Sequence, residues 1–211
     1  MDAFLTPAER AVRQRIRDYL RNGGGAGGRG AAGTAGMPER GKILSELSPA
    51  TPPDPGGGSG LLEKALLIEE VSAVSPKLGR DLLPAAPGPT APAGAEGFAA
   101  GVAWSIGTAA GILEACMKAA REQGLFASTL MGCQETQMGL GELLSGLEAV
   151  RLQSYRALRL IDGGEKIRGE DELEHASGLA GKIYNRALTM ASSLLGAGWL
   201  SENMPDHERS R

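Results

Sequence analysis

Gln134-Glu135-Thr136-Gln137-Met138-Gly139-Leu140-Gly141-Glu142-Leu143-Leu144 opens the stretch whose reading decides the fold. Leu140, Leu143, Leu144, Leu147, Val150, Leu152, Tyr155 and Leu158 continue it at three- and four-residue steps. That period belongs to a helix with one buried face. Gly163-Gly164 stops it, giving a predicted helix from Gln134 to Asp162. A second long helix is expected over Glu170 to Leu200, through Leu179, Ile183, Ala187, Met190, Leu194 and Leu195. A third, Phe98 to Gln123, is rich in small residues; Ala103, Gly107, Ala110 and Gly111 would let another helix approach closely. No alternation of useful length points to strands. The fold class is all-α: an antiparallel helix bundle with a small N-terminal helical part.

Upstream, Thr6-Pro7-Ala8-Glu9 is a capping box with proline at the first helical position, followed by Val12, Ile16 and Leu20 at helical spacing. A short helix is expected around Glu39 to Leu47, and another over Leu61 to Leu78, limited by Pro76. Glycine and proline are clustered between these elements. Of the 32 glycines in 211 residues, eight fall between Gly23 and Gly36. Pro49–Gly60 and Pro84–Gly94 are loop-forming and proline-rich. The expected organisation is an N-terminal helical part over 1–83 with a Gly-rich insert at 23–36, a Pro-rich linker over 84–95, and a helix bundle over 96–211.

Composition excludes several classes. The formal charge is -3, so a basic nucleic-acid footprint is missing. Without a run of about 20 apolar residues or a basic-then-apolar N-terminus, neither a transmembrane helix nor a secretory signal is expected. Cys116 and Cys133 lack metal-ligand spacing and are expected as reduced thiols in a cytoplasmic protein. Glu172 and His175 have the i, i+3 spacing of a di-metal ligand pair, but no second such pair accompanies them, and no metal is assigned. Glu69 and Glu70 point about 100° apart on a helix and do not converge as an acid/base pair. One is expected to be solvated or at an interface and the other hydrogen-bonded.

In order, several segments resemble the acyl-CoA dehydrogenase family. Leu5-Thr6-Pro7-Ala8-Glu9-Arg10 resembles its opening helix. Pro55 to Leu61, followed by Leu66-Leu67-Ile68-Glu69-Glu70-Val71, is similar to its "GG…G…EE" segment. Gly107-Thr108-Ala109-Ala110-Gly111 resembles the first helix of its C-terminal domain, and Gln134 to Leu143 its "Q..q..la.m" helix. Gly196-Ala197-Gly198-Trp199 through Arg209 is similar to "GG.Gy…P.eR". The resemblance spans about 170 residues and implies the family's C-terminal helical domain, with FAD-dependent oxidoreductase chemistry on acyl-CoA in complete members.

The departures from that pattern carry as much. The family's middle β domain, which holds the flavin ring, is replaced by the linker near 84–94. The chain ends at Arg211, before the family's glutamate-bearing loop. In the branch that places the base at the start of the Phe98 helix, Ala100 occupies the position; Glu96 is one turn too early. Gly101 stands where many members carry an arginine near the acyl-CoA, and Gln123 where the "R..FG…Q" signature has its arginine, with Arg121 two residues away. Phe126, Gln134, Gly196 and Gly198 match the residues that touch the diphosphate or adenine end of FAD across a dimer interface. No catalytic residue is assigned.

The resemblance therefore implies a degenerate or accessory subunit without dehydrogenation of its own. FAD is expected only together with a partner, and the partners expected are a full-length acyl-CoA dehydrogenase homologue or, without flavin, further copies of the chain in a homo-oligomer. The alternatives are a subunit that completes an FAD site in trans, a purely structural helical protein, and a decaying gene product.

Overall fold

Thr6 and Glu9 cap the first helix reciprocally. The Glu9 amide donates to Thr6 Oγ1 at 3.3 Å, and the Thr6 amide donates to Glu9 Oε2 at 2.7 Å. The computed structural model describes residues 5–21, 60–84, 94–125 and 128–205. The expected Glu39–Leu47 helix, and most of the Gly- and Pro-rich inserts, lie outside these residues.

The elements are α1 (Pro7–Arg21), α2 (Leu61–Val74), α3 (Pro76–Asp81), α4 (Ala95–Glu122), α5 (Gln134–Asp162), α6 (Lys166–Leu194) and α7 (Gly196–Asn203). Between α4 and α5, β1 (Gly124–Leu125) and β2 (Ser128–Thr129) pair antiparallel, and one 3-10 turn covers Leu130–Gly132. Helix dominates and the all-α class holds. The expected 61–78 helix is two helices. Ser75 is extended (φ -146°), and its Oγ accepts from the Leu78 amide at 3.3 Å, capping α3 with Pro76 in the first turn. The expected 170–200 helix starts earlier, at Lys166, and breaks at Leu195–Gly196, where Gly196 adopts φ +83°. Left-handed backbone there favours glycine.

α4 is the core helix. It packs on α2 along one side and on α5 and α6 along the other. Gly107 and Gly111 make the α2 contact close: a Cβ on Gly107 would overlap the Glu69 carbonyl oxygen, and one on Gly111 that of Ala73. The small residues of this helix thus admit a neighbouring backbone, as their spacing suggested. By length and composition α4 is also the one helix among the described residues that could cross a membrane, and most of its apolar stretch is buried inside the bundle.

α5 and α6 run antiparallel after the turn at Gly163-Gly164, where Gly164 has φ +93° and the Glu165 amide returns to the Leu160 carbonyl at 2.8 Å. Their seam is tight: Gly146 faces Ile183, and Gly169 faces Ile161 and the Ala157 carbonyl. α2 packs mainly on α4 and also meets α5, and α1 packs on α2. The first amides of α2, from Leu61 and Leu62, approach the Asp162 carboxylate at the end of α5, each at 3.4 Å. A single buried cluster runs from Leu5 and Ile16 through Leu66, Ile112, Leu143 and Leu173 to Met204.

Candidate functional site

Two polar features stand out against this apolar frame. The first is a buried ion cluster where α1, α2 and α5 meet. Glu69 is 2% exposed, and its Oε1 accepts from Arg13 Nη2 and Arg151 Nε, both at 2.8 Å. Its Oε2 accepts from the Tyr155 hydroxyl at 2.8 Å. Glu70, 7% exposed, is held by Arg13 Nε and by Arg17, whose Nε lies 2.8 Å from Oε2 and Nη2 3.0 Å from Oε1. Arg151 also pairs with Glu148.

This corrects the expectation for the two glutamates. Neither is solvated or at an interface. The 100° between them is bridged by one guanidinium, Arg13, which reaches both carboxylates from α1. Burial disfavours the charge on Arg13, but Glu69, Tyr155 and Glu70 outweigh it and hold its pKa above the ordinary arginine value. Arg151 is raised in the same way, against its burial, by Glu69, Tyr155 and Glu148. Burial and the neighbouring Glu69 carboxylate both push Tyr155 up, so its hydroxyl stays a donor. The cluster spends its donors and acceptors on holding three helices together.

The second feature is an open groove of about 980 Å³ between the start of α5 and the end of α6, lined by Gln134, Met138, Glu142, Arg186, Met190 and Leu194 among others. Met138 is exposed, and Arg186 pairs with Glu142 across the groove. Gln134 is the first residue of α5, and its Nε2 lies 3.9 Å from Met138 Sδ. Gln123 Nε2 donates to the Leu194 carbonyl at 3.2 Å, tying the end of α4 to the end of α6. Gly196 follows two residues later. Nothing lies within 4 Å of the space a Cβ would take on Gly196 or Gly198. The structure thus brings Gln134 and Leu194 to one groove. Neither Gly196 nor Gly198 is among its lining residues, and Phe126 lies outside the described residues.

Ala100, aligned by the resemblance with the position of a base in one branch of that family, is buried. With Leu61, Ala65, Ile68, Leu82 and Ala99 it lines a small hollow of about 100 Å³. Lys64 Nζ and Glu96 Oε1 pair at 2.9 Å at this hollow, both side chains more than half exposed. Glu96 is thus an exposed carboxylate held by a lysine. Gly101 offers no donor, and Arg121 sits exposed in the last turn of α4. Glu172 pairs with Arg156 at 3.3 Å and with Arg168 at 3.7 Å, while His175 Nδ1 lies 2.7 Å from the Asp171 carbonyl. Among the described residues no three His, Cys, Asp or Glu side chains gather as metal ligands. Cys116 is buried, and burial pushes its thiol up to about 11.

Sequence reasoning missed the Arg13, Arg17, Arg151 and Tyr155 partners of the glutamates. Arginines at buried helical phase in α1, with a paired acid downstream, were the available signal. No protein-family model, curated protein or solved structure matches this chain.

Proposed function

We propose that the chain is an acyl-CoA dehydrogenase-like helical subunit, cytoplasmic and without dehydrogenation of its own, that pairs with a full-length homologue. In that pairing the Gln134 end of the α5–α6 groove lies against the diphosphate or adenine end of FAD held by the homologue. The observation behind this reading is that groove, lined by the exposed Gln134 amide and by Arg186, which is paired with Glu142.

The groove's chemistry suits one edge of the cofactor. Gln134 Nε2 is a donor for a diphosphate oxygen, Arg186 could add donors beyond its pair with Glu142, and Met138, Met190 and Leu194 are apolar partners for a base face. Bound FAD would supply hydride acceptance, and that chemistry belongs to the homologue. Proton removal next to a thioester needs a base, and here the methyl of Ala100 stands at that position. Gln134 and Arg186 would bind and orient; Phe126 and Gly198 are assigned to the same contact by the resemblance.

The test is co-expression with a full-length acyl-CoA dehydrogenase from the same genome. Co-purification, higher flavin occupancy of the homologue, and loss of that gain with Gln134→Ala are expected. Independent migration with unchanged flavin content sinks the proposal. A purely structural role is favoured by the ion cluster, which ties α1, α2 and α5 to one another. It predicts a colourless chain whose Tm ignores both FAD and acyl-CoA.

A further inference from the structure

The outermost stripe of α6 is Ile167, Asp171, Glu174, Gly178, Lys182 and Asn185. At 100° per residue it lies opposite the buried Leu173, Ala176, Ala180, Tyr184 and Ala187. Its charges are sorted by position: Asp171 and Glu174 precede Gly178, and Lys182 follows it. None of the three has an ion-pair partner among the described residues. All lie more than one turn from either helix end, so the helix dipole does not account for the sorting.

Two further details set the stripe apart from a plain solvated face. Ile167 is 80% exposed. Gly178 and Gly181 have nothing within 4 Å of a would-be Cβ, so packing among the described residues does not call for glycine at either position. Each glycine costs the helix about 1 kcal/mol relative to alanine.

We propose that this stripe is a homodimer face, covered by α6 of a second copy running antiparallel about a two-fold axis at Gly178. The charge order selects the occupant and its direction. Antiparallel pairing about Gly178 sets Glu174 opposite Lys182 of the second copy, twice by symmetry, and Asp171 opposite Asn185. Parallel pairing would set Glu174 on Glu174 and Lys182 on Lys182, which repel. The same register puts Ile167 opposite Thr189 of the second copy. Glycine at the axis lets the two backbones approach closely. The contact runs about 34 Å along each helix, at the small end of specific interfaces, so a micromolar Kd is expected.

The experiment uses the isolated full chain in sedimentation equilibrium. Glu174→Lys and Lys182→Glu should each weaken dimerisation at least about tenfold, and the double variant should restore it. In a Cys133→Ser background, Gly178→Cys should form an interchain disulfide on mild oxidation, while Gly141→Cys, exposed on α5, should not. Far-UV circular dichroism verifies that each variant keeps its helix content. A monomer at about 100 µM, or a dimer insensitive to Glu174→Lys, overturns the proposal.

Discussion

Gly107 lies directly against the main chain of Glu69, leaving no room for a methyl group between α4 and α2. Gly107→Ala must push the two helices apart where both are buried, and a loss of about 1–3 kcal/mol is expected. Gly141→Ala meets nothing within 4 Å on exposed α5 and should add about 0.5–1 kcal/mol instead. Urea denaturation of the two variants should shift in opposite directions.

Glu69 is the acceptor shared by Arg13, Arg151 and Tyr155. Glu69→Gln removes the charge that two buried guanidinium groups face, and a loss of about 3–5 kcal/mol is expected. Glu96→Gln breaks the exposed pair with Lys64 and should change stability by less than about 1 kcal/mol. Chemical denaturation of both variants checks the contrast.

Tyr155 and Glu9 shape the two limbs of the pH–stability profile. The folded pKa of Tyr155 lies above its unfolded value, so its contribution is complete below about pH 10. It is lost as pH rises, because the unfolded tyrosine releases its proton first. Tyr155→Phe should flatten the alkaline limb. Burial raises the Glu9 pKa, but hydrogen bonds from Arg159 and Thr6 reverse that and leave it lowered. Its contribution is present above the unfolded carboxyl value and disappears as pH falls through the folded one. Glu9→Gln should flatten the acid limb of Tm against pH.

The two thiols should separate by reactivity. Cys116 is buried and its thiol is held protonated, with a pKa pushed to about 11. Cys133 is partly exposed just before α5. At pH 7.5 one equivalent of a maleimide should label Cys133 quickly, and Cys116 should react only on unfolding. Rapid double labelling of the native chain would contradict this.

Much of the fold was legible because local signals and packing agree. The leucine period and the glycine stop give α5 its observed bounds, Gln134–Asp162. Thr6 and Glu9 form the expected reciprocal cap. The small residues of α4 accept a neighbouring backbone. The Glu69–Glu70 pair was not legible. Arg13 precedes Glu69 by 56 residues and Arg151 follows it by 82, so burial of the acids depends on contacts that helix periodicity cannot report. The break after Val74 was half legible: Pro76 marked an end, but Ser75 as a cap starting a new helix needs the observed backbone turn. For the groove, the sequence pointed to Gln134, while Arg186 and Glu142 lie 44 residues apart and meet only when α5 and α6 are set in register.

The ion cluster also bears on how the molecule comes apart. A mostly exposed helix such as α1 ordinarily opens alone, its amides exchanging with solvent long before the interior opens. Here departure of α1 would leave both Glu69 and Glu70 without Arg13 in a low-dielectric seam already shared with α5. That penalty couples the three helices, and the α1 amides should exchange with deuterium at nearly the same opening free energy as those of α2 and α5, as one cooperative unit.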